Sequence, residues 1–388
     1  MEFNADVLRR LAGMADEYGV LSVYVTADPR EDAAHVRVRN DLAAIRDRAR
    51  REMARDRRMA VEKRLDGLTG RIEEILRPSE PGRGRVLFAT VAGGDEEEYR
   101  LQVPLPDLAV LDDFAYVRPL AAATSATAPE GLVAVARGGV QLVDVRYGVA
   151  TEVLRRAFEV DTADWREKRG PAGARSAKPQ SQVSHTDRFD DRVEDHIGRL
   201  LRGAAPEVAE AARGRGWRRI TVTGDPRLVE PFAAELAQRT GAEPERADRI
   251  VYGIPAQRMA EELGPVLTGA RRRAEHALAE RVCDAGRSGT SAALGLPDTL
   301  GGLNDRRVER LLLDPSRTWR GARAADGRLF PDGQVPPDVP ADAVTPVADL
   351  GEQMIARALA GDAEVVTLSA DAAAALAEVD GVAAQLRW

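Results

Sequence analysis

The stretch LVAVARGGVQLVDVRYG, residues 132–148, decides the fold of the middle of this chain. Two segments of alternating apolar and polar residues flank Arg137-Gly138-Gly139, which is typical of a β-hairpin. VATEVLRRAFEV, residues 149–160, continues as a third strand. Further on, RRITVTGDP at residues 218–226 predicts a buried strand, and LVEPFAAEL at residues 228–236 begins a helix. This alternation of strands and helices predicts an α/β domain.

A long polar stretch interrupts this domain and is the first candidate for function. It contains SAKPQSQVSHTDRFDDRVEDH, residues 176–196, and a helix is expected after Thr186 or Asp187 as its cap. Long loops in compact domains are usually either functional or disordered. The composition fits a disordered tether, whereas the positive charge favours a mobile loop that contacts RNA. The candidate RNA-binding residues here are Arg166, Lys168, Arg169, Arg175, Lys178 and Arg188.

Residues 1–124 form a first block with a different pattern. The strand LSVYVTADP at residues 21–29 precedes apolar stripes of helical period, which are interrupted by IRDRARREMARDRRM at residues 45–59. We therefore expect two helices joined in this polar segment, followed by strands at RVLFATVAGG and YRLQVPLP. AAATSATAPE, residues 121–130, has the composition of a linker. The joint carries many arginines, either as a solvated helical face or as an RNA contact; the candidates are Arg46, Arg50, Arg51, Arg57 and Arg58.

The third block, residues 257–388, also alternates helix and strand. A long charged helix is predicted to end near Gly286, and RVERLLLDP is predicted to be a strand. A Pro/Gly/Asp-rich insertion covers residues 315–345, and DLGEQMIARALAG and AEVVTLS predict a further helix and strand. With the central block at residues 129–256 and its polar loop at 162–187, the sequence predicts three domains.

Composition excludes several classes of protein. The 388 residues are 44% hydrophobic and 31% charged, and no apolar run approaches the roughly 18 residues of a membrane span. The start, MEFNADVLRR, lacks an apolar signal core, and the single cysteine, Cys283, fits a reducing compartment, so we expect a cytoplasmic protein that contacts no membrane. A net charge of −7 argues against indiscriminate coating of nucleic acid but allows local basic surfaces.

No motif indicates a cofactor. The sequence contains no GxxxxGK[ST] loop, no GxGxxG after a strand, no HExxH and no paired CxxC. The four histidines, His35, His185, His196 and His276, lie far apart and lack the spacing of metal ligands. We therefore expect neither a metal site nor a bound nucleotide.

The order of these blocks resembles the archaeo-eukaryotic peptide-chain release factor family, including Pelota and its bacterial relatives. The resemblance rests on three places: the helix pair between LSVYVTADP and RVLFATVAGG; the strand pair, polar loop and helix opening with Arg188-Phe189 before RRITVTGD; and LGLPDTLGGLNDRRVERLLLD with ALAGDAEVVTLS and GVAAQLRW. It covers essentially the whole chain. It implies an N-terminal decoding-type domain, a ribonuclease H-like central domain and a C-terminal domain of ribosomal-protein-like α/β fold, together imitating a tRNA.

The central loop departs from the pattern of this family. In release factors the loop carries Gly-Gly-Gln, and its glutamine helps to place a water against the ester of peptidyl-tRNA. This sequence has Lys178-Pro179-Gln180-Ser181-Gln182 without a glycine pair, and the family spacing from Arg188-Phe189 would fall on Ser184. Gln180 and Gln182 are the candidate catalytic residues. The Asn-Ile-Lys-Ser of stop-codon readers is also missing from the arginine-rich joint, so the resemblance does not extend to stop-codon recognition.

The resemblance implies a ribosome-associated factor that fills the tRNA A site, with ribosomal RNA and peptidyl-tRNA as partners. As an enzyme it would be a peptidyl-tRNA hydrolase that rescues stalled ribosomes without a cofactor. The alternative is a Pelota-like or hibernation factor that occupies the A site without hydrolysis. A protein-interaction scaffold without a ribosomal role is a third possibility. Delivery by a translational GTPase stays open.

Overall fold

The structure is a computed structural model that describes residues 3–27, 33–158, 185–337 and 339–388, with backbone alone for residues 33–35 and 185–195. These residues divide into two compact units. The first joins Met1–Thr127 with Gly269–Trp388, and the second is Ala128–Thr268. The three-domain division predicted from the sequence stays a prediction.

The N-terminal part of the first unit is built on a four-stranded antiparallel sheet of order β3-β2-β1-β4. Its strands are β1 (Ala15–Thr26), β2 (Gly84–Thr90), β3 (Glu96–Leu101) and β4 (Leu108–Phe114). Helix α1 (Ala5–Ala12) precedes the sheet, and Asn4 caps it by accepting the backbone N–H of Val7 at 2.9 Å. The predicted strands are confirmed, and β1 begins earlier than LSVYVTADP.

Two long helices cover one face of this sheet. They are α2 (Ala33–Glu52) and α3 (Arg55–Leu76), and they meet at Met53-Ala54, inside the segment where the sequence predicts a joint. Their apolar stripes bury Val38 and Ile45 from α2 and Leu68 from α3 against Leu87 of the sheet. Burial of such stripes is what holds an otherwise polar helix pair in place.

The expected linker at residues 121–130 is wrong, because most of it is helical. Helix α4 (Arg118–Ala126) is separated from the next strand only by residues 127–129. Leu120 is fully buried and Ala121 nearly so, and small side chains allow close packing. The N-terminus of α4 is capped by a distant side chain, since the carboxylate of Glu352 accepts the backbone N–H groups of Val117 at 2.6 Å and Arg118 at 3.0 Å. The composition alone cannot show such a cap.

The second unit contains the hairpin predicted from residues 132–148. Its five-stranded sheet has the order β7-β6-β5-β8-β9, in which β5, β6 and β7 are antiparallel while β8 and β9 run parallel to β5. The strands are β5 (Glu130–Ala136), β6 (Gly139–Arg146), β7 (Val149–Ala157), β8 (Arg219–Gly224) and β9 (Glu245–Ala247). Helices α5 (His185–Gly214) and α6 (Pro226–Thr240) cover one face, and the first part of α7 (Ala256–Arg287) packs in a second core.

The first unit is completed by the segment after residue 268. A sheet of order β10-β16-β11-β15 combines β10 (Ala292–Leu294), β11 (Val308–Leu313), β15 (Glu364–Thr367) and β16 (Val382–Leu386) with α8 (Gly295–Asn304), α9 (Gly351–Ala360) and α10 (Ala370–Ala373). The Pro/Gly-rich insertion is not a plain loop. It forms a sheet of order β13-β12-β14 from β12 (Gly321–Ala324), β13 (Leu329–Pro331) and β14 (Val344–Val347). The mixed α/β class predicted from the sequence is confirmed.

Candidate nucleic-acid interface

The junction between α2 and α3 carries the arginines on which the prediction of RNA contact depends, and of these Arg50 and Arg51 are exposed. Ala54 precedes α3 with an extended backbone and no capping side chain. The turn therefore presents the first backbone N–H groups of α3 without a side-chain acceptor at the cap position, and such helix starts favour anions. Arg51, Arg55 and Met59 are exposed around this turn, and 56% of the Met59 surface is accessible.

Three of the five predicted arginines are engaged by acids of the chain. Arg46 pairs with Asp66 at 2.8 Å, and Arg50 pairs with Glu62 at 3.2 Å. Arg57 donates from Nε to the backbone carbonyl of Tyr18 at 3.1 Å and pairs through Nη2 with Asp113 at 3.1 Å. The Tyr18 carbonyl lies where β1 shifts register between Ala15 and Val20, and such a bulge leaves backbone groups without a strand partner.

The remaining two predicted arginines are not compensated in this way. Arg51 donates from Nε to the backbone carbonyl of Asp47 at 3.3 Å, but pairs with no carboxylate within the part of the chain that the structure describes. Arg58, and Arg55 beside it, have no side-chain hydrogen bond or ion pair to any described residue. We call Arg51, Arg55 and Arg58 the junction arginines. Glu52 and Asp56 are exposed at the same turn, so the net surplus of positive charge there is small.

The described residues on either side of the predicted central loop belong to the second unit. Phe158 follows β7, is 9% exposed, and donates its backbone N–H to the carbonyl of Gly138 at 2.9 Å, beside the hairpin turn. Helix α5 begins at His185. Thr186 and Asp187, one of which was predicted to be the cap that precedes the helix, therefore lie in its first turn. Helix ends commonly shift by a residue or two from the position that a capping pattern suggests.

The loop residues themselves lie outside the described part of the chain. They include both candidate catalytic residues, Gln180 and Gln182, and the basic candidates Arg166, Lys168, Arg169, Arg175 and Lys178. Arg188 belongs to α5, but its side chain is not described. The roles of all these residues stay predictions.

One buried acid of the second unit has a structural role. Asp144 of β6 accepts hydrogen bonds from the indole Nε1 of Trp217 and from Nε of Arg146, the latter at 2.6 Å. Burial opposes ionisation, but these two donors hold the pKa of Asp144 below its usual value. Trp217 covers Gly131, where a Cβ atom would lie 2.1 Å from the ring. The carboxylate therefore orients an indole against the sheet.

The described residues contain no group of three or more His, Cys, Asp or Glu side chains that could hold a metal ion. His276 is half exposed and lies 3.4 Å from Glu280, one turn further along α7. Within the described ranges, no helix has the length and apolar character needed to span a bilayer.

Sequence reasoning missed a second group of arginines, Arg306, Arg307, Arg357 and Arg387. They come from separate stretches of the chain and meet only in the folded unit, at the ends of α8, α9 and β16. The dipeptide Arg306-Arg307 in LGLPDTLGGLNDRRVERLLLD is the only local signal.

Comparison with known families decides the identity of the central segment. Residues 129–243 match the family model described as bacterial archaeo-eukaryotic release factor family 5. This segment is similar to that release factor family. The match confirms the resemblance to the bacterial branch of these factors, and it spans the sheet from β5 to β8 together with α5 and α6.

Similar solved structures come from translation factors. A crystal structure of the archaeal translation termination factor aRF1 is 15% identical, with a TM-score of 0.25, over 99% of this chain and 97% of that one. A model of ribosome-bound archaeal Pelota and ABCE1 is 13% identical, with a TM-score of 0.40, over 99% and 94%. S. cerevisiae Dom34, a translation termination-like factor, is 10% identical, with a TM-score of 0.39, over 79% and 80%. At these identities and TM-scores, the likenesses by themselves establish neither fold nor function. No curated protein sequence matches the chain.

Proposed function

We propose that this chain is a ribosome-associated factor that occupies the tRNA A site and rescues stalled ribosomes by hydrolysing peptidyl-tRNA in the cytoplasm. The family of the central segment supports a role in translation. The observation that carries the proposal is the group of junction arginines, of which Arg51 and Arg55 are exposed and Arg58 is half-buried. None of them pairs with a carboxylate among the described residues, in a chain whose net charge is −7. Attraction to RNA in such a chain has to come from local surfaces.

The junction arginines can be tested by sedimentation with purified ribosomes. The triple variant R51Q/R55Q/R58Q removes three positive charges, and we expect affinity to fall about tenfold or more at physiological salt. The slope of log affinity against log salt should also become shallower by about 2, because fewer counterions are released on binding.

A matched control removes the same charge elsewhere in the first unit. Arg272, Arg281 and Arg287 are exposed on α7. The variant R272Q/R281Q/R287Q should bind ribosomes within about twofold of the unaltered protein. Equal losses in both variants would show that overall charge, and not the junction, determines binding.

The hydrolytic step is proposed for Gln180 or Gln182, which would hold the attacking water while the ribosome supplies most of the chemistry. In a release assay with ribosomes carrying labelled peptidyl-tRNA, the variant Q180A/Q182A should lose release but keep ribosome binding. Q334A, a glutamine of the insertion, serves as the control. Undiminished release by the double variant would remove both glutamines from this role.

Occupancy of the A site without hydrolysis is the second candidate. It is favoured by the absence of a glycine pair in Lys178-Pro179-Gln180-Ser181-Gln182, since paired glycines permit backbone shapes that other residues resist. Tight binding without any peptide release would select it. Repeating the binding assay with and without a translational GTPase would show whether such a protein delivers the chain. No sedimentation with ribosomes under any salt condition would favour the scaffold.

A further inference from the structure

Four arginines meet at one end of the C-terminal sheet, and we call them the C-segment arginines: Arg306, Arg307, Arg357 and Arg387. Arg357 of α9 donates to the carbonyls of Leu303 and Asn304, each at 3.3 Å, at the end of α8. The backbone N–H of Arg387 donates to the carbonyl of Arg307 at 2.8 Å. The guanidinium of Arg387 donates at 2.7 Å to the carbonyl of Gly361, directly after α9. These bonds bring Arg307, Arg357 and Arg387 to one region of the unit, and Arg306 directly precedes Arg307.

Their positive charge is not balanced by ion pairs. None of the four forms an ion pair with a side-chain carboxylate among the described residues. The bonds of Arg357 and Arg387 run to peptide carbonyls, and Arg307 donates to the backbone oxygen of Trp388. A carbonyl orients a guanidinium but leaves its charge intact. Burial and the charges of Arg306 and Arg328 lower the pKa of Arg357, as expected where cations gather. Of the neighbouring acids, Asp326 pairs with Arg328 at 2.7 Å, and Asp305 is exposed.

Arg306 is held in a backbone conformation that disfavours it. Its φ is +56°, and it follows α8 at the position where helices commonly end in glycine. The flanking hydrogen bonds are those of a regular helix stop, with Arg307 N–H donating to the carbonyl of Gly302 at 2.9 Å. Non-glycine residues in such strained positions concentrate at functional sites. Glycine would adopt the backbone conformation of position 306 with less strain than arginine does.

An exposed indole lies beside the C-segment arginines. Trp388 is 67% exposed, and its backbone oxygen accepts a hydrogen bond from Nη2 of Arg307 at 2.8 Å. The Nε of Arg307 is a buried donor without a partner in the described structure. A flat exposed aromatic ring next to arginines is the combination by which proteins bind single-stranded nucleic acid, with bases stacked on the ring and phosphates on the cations.

We propose that Trp388 and the C-segment arginines form a binding surface for single-stranded RNA. One unpaired base stacks on the indole of Trp388, and Arg306 and Arg387 contact the phosphates on either side of it. This surface is separate in sequence from the junction arginines and from the central loop. It does not depend on occupancy of the A site, although an unpaired stretch of ribosomal RNA would be a suitable ligand.

The test is a titration with a short oligouridylate in the background R51Q/R55Q/R58Q, so that the junction cannot contribute and no ribosome is needed. Arg306→Gly should weaken binding about threefold to tenfold while the melting temperature stays the same or rises, because glycine relieves the strained backbone. Trp388→Leu should weaken binding about tenfold and remove quenching of tryptophan fluorescence by the RNA. Arg287→Gln, on the exposed face of α7, is the control and should bind unchanged.

Two results would overturn the proposal. Unchanged RNA affinity in both Arg306→Gly and Trp388→Leu would show that this surface does not bind RNA. If poly-glutamate binds the unaltered protein and these variants lose that binding alone, the surface takes an acidic protein segment. A failure of either kind would leave the ribosome-sedimentation result for the junction arginines standing, so the two proposals can fail separately.

Discussion

Arg85 and Arg55 belong to the same N-terminal segment, yet their guanidinium groups have opposite surroundings. Arg85 of β2 is fully buried and donates to the carbonyls of Ile75 at 2.7 Å, Arg77 at 2.6 Å and Pro81 at 3.1 Å, as well as to that of Glu80. These are carbonyls at and after the end of α3. Arg55 begins the same helix, is exposed, and has no side-chain partner among the described residues.

The difference shows that the number of arginines in a segment does not measure its capacity to bind RNA. A fully buried arginine such as Arg85, whose donors are used by backbone carbonyls, stabilises the fold, because those carbonyls would otherwise be buried without partners. An arginine in solvent without a carboxylate partner keeps its donors and charge for a ligand.

Replacing Arg85 by methionine should lower the free energy of unfolding by about 4 kcal/mol or more, since several buried carbonyls lose their donors. Urea denaturation of the whole chain, followed by circular dichroism, measures this loss. Arg85→Lys should recover part of it, because an ammonium group can reach some of the same acceptors. A loss below about 1 kcal/mol for the methionine variant would contradict a structural role for Arg85.

Glu352 is an acidic counterpart of Arg85. Its carboxylate is buried and accepts backbone N–H groups where α4 begins. Burial raises the pKa of Glu352 to about 7, while the N–H groups of Val117 and Arg118 and the charge of Arg118 act in the opposite direction. The folded pKa is above the unfolded one, so the folded state holds an extra proton between about pH 4.5 and pH 7. This contribution to stability is therefore complete at low pH and is lost as the pH rises to about 7.

Glu352→Gln should remove this part of the pH dependence. The free energy of unfolding of the variant should vary less between pH 5 and pH 8, by about 1–3 kcal/mol, than that of the unaltered protein. Asp349→Asn is a useful control, since Asp349 pairs with Arg118 at 2.8 Å but is partly exposed. Parallel pH profiles for the unaltered protein and the glutamine variant would show that Glu352 titrates normally.

The smallest expected effects on stability and ribosome binding are those that distinguish Arg57, which pairs with Asp113, from Arg55, which has no side-chain partner among the described residues. Arg57→Gln should cost about 0.5–1 kcal/mol of stability, since its pair with Asp113 is partly exposed, but it should leave ribosome binding unchanged. Arg55→Gln should leave stability within about 0.5 kcal/mol and weaken ribosome binding about twofold to threefold. Thermal melts and sedimentation of both variants give the comparison. If Arg57→Gln weakens binding as much as Arg55→Gln, ion pairing does not determine which arginines are available.

Local patterns predicted much of the fold. The glycine pair at Gly138-Gly139 marked the hairpin, and the spacing of Leu65, Leu68 and Ile72 marked the face of α3, because both signals depend on neighbouring residues alone. Helix α4 was missed, since its cap comes from Glu352. The strands of the insertion were missed because proline and glycine obscure the alternation that identifies a strand.

The candidate interface was predictable only in part. The sequence located the arginine-rich joint between α2 and α3. It could not distinguish Arg46 and Arg50, which pair with acids of α3, from Arg51 and Arg58, because those pairings require the helices to pack side by side. The C-segment arginines were not predicted at all, since tertiary packing alone brings Arg306 and Arg387 together.

The bond from Val117 N–H to Glu352 spans 235 positions, and this has a consequence for how the chain matures during synthesis. Translation produces the N-terminal sheet and the whole second unit before the residue that completes α4 exists. At about 5–20 residues per second, the first 127 residues wait for many seconds with that helix start unsatisfied. A nascent chain halted before residue 352 would therefore hold an incomplete first unit, whereas all five strands of the second unit's sheet would already have been synthesised.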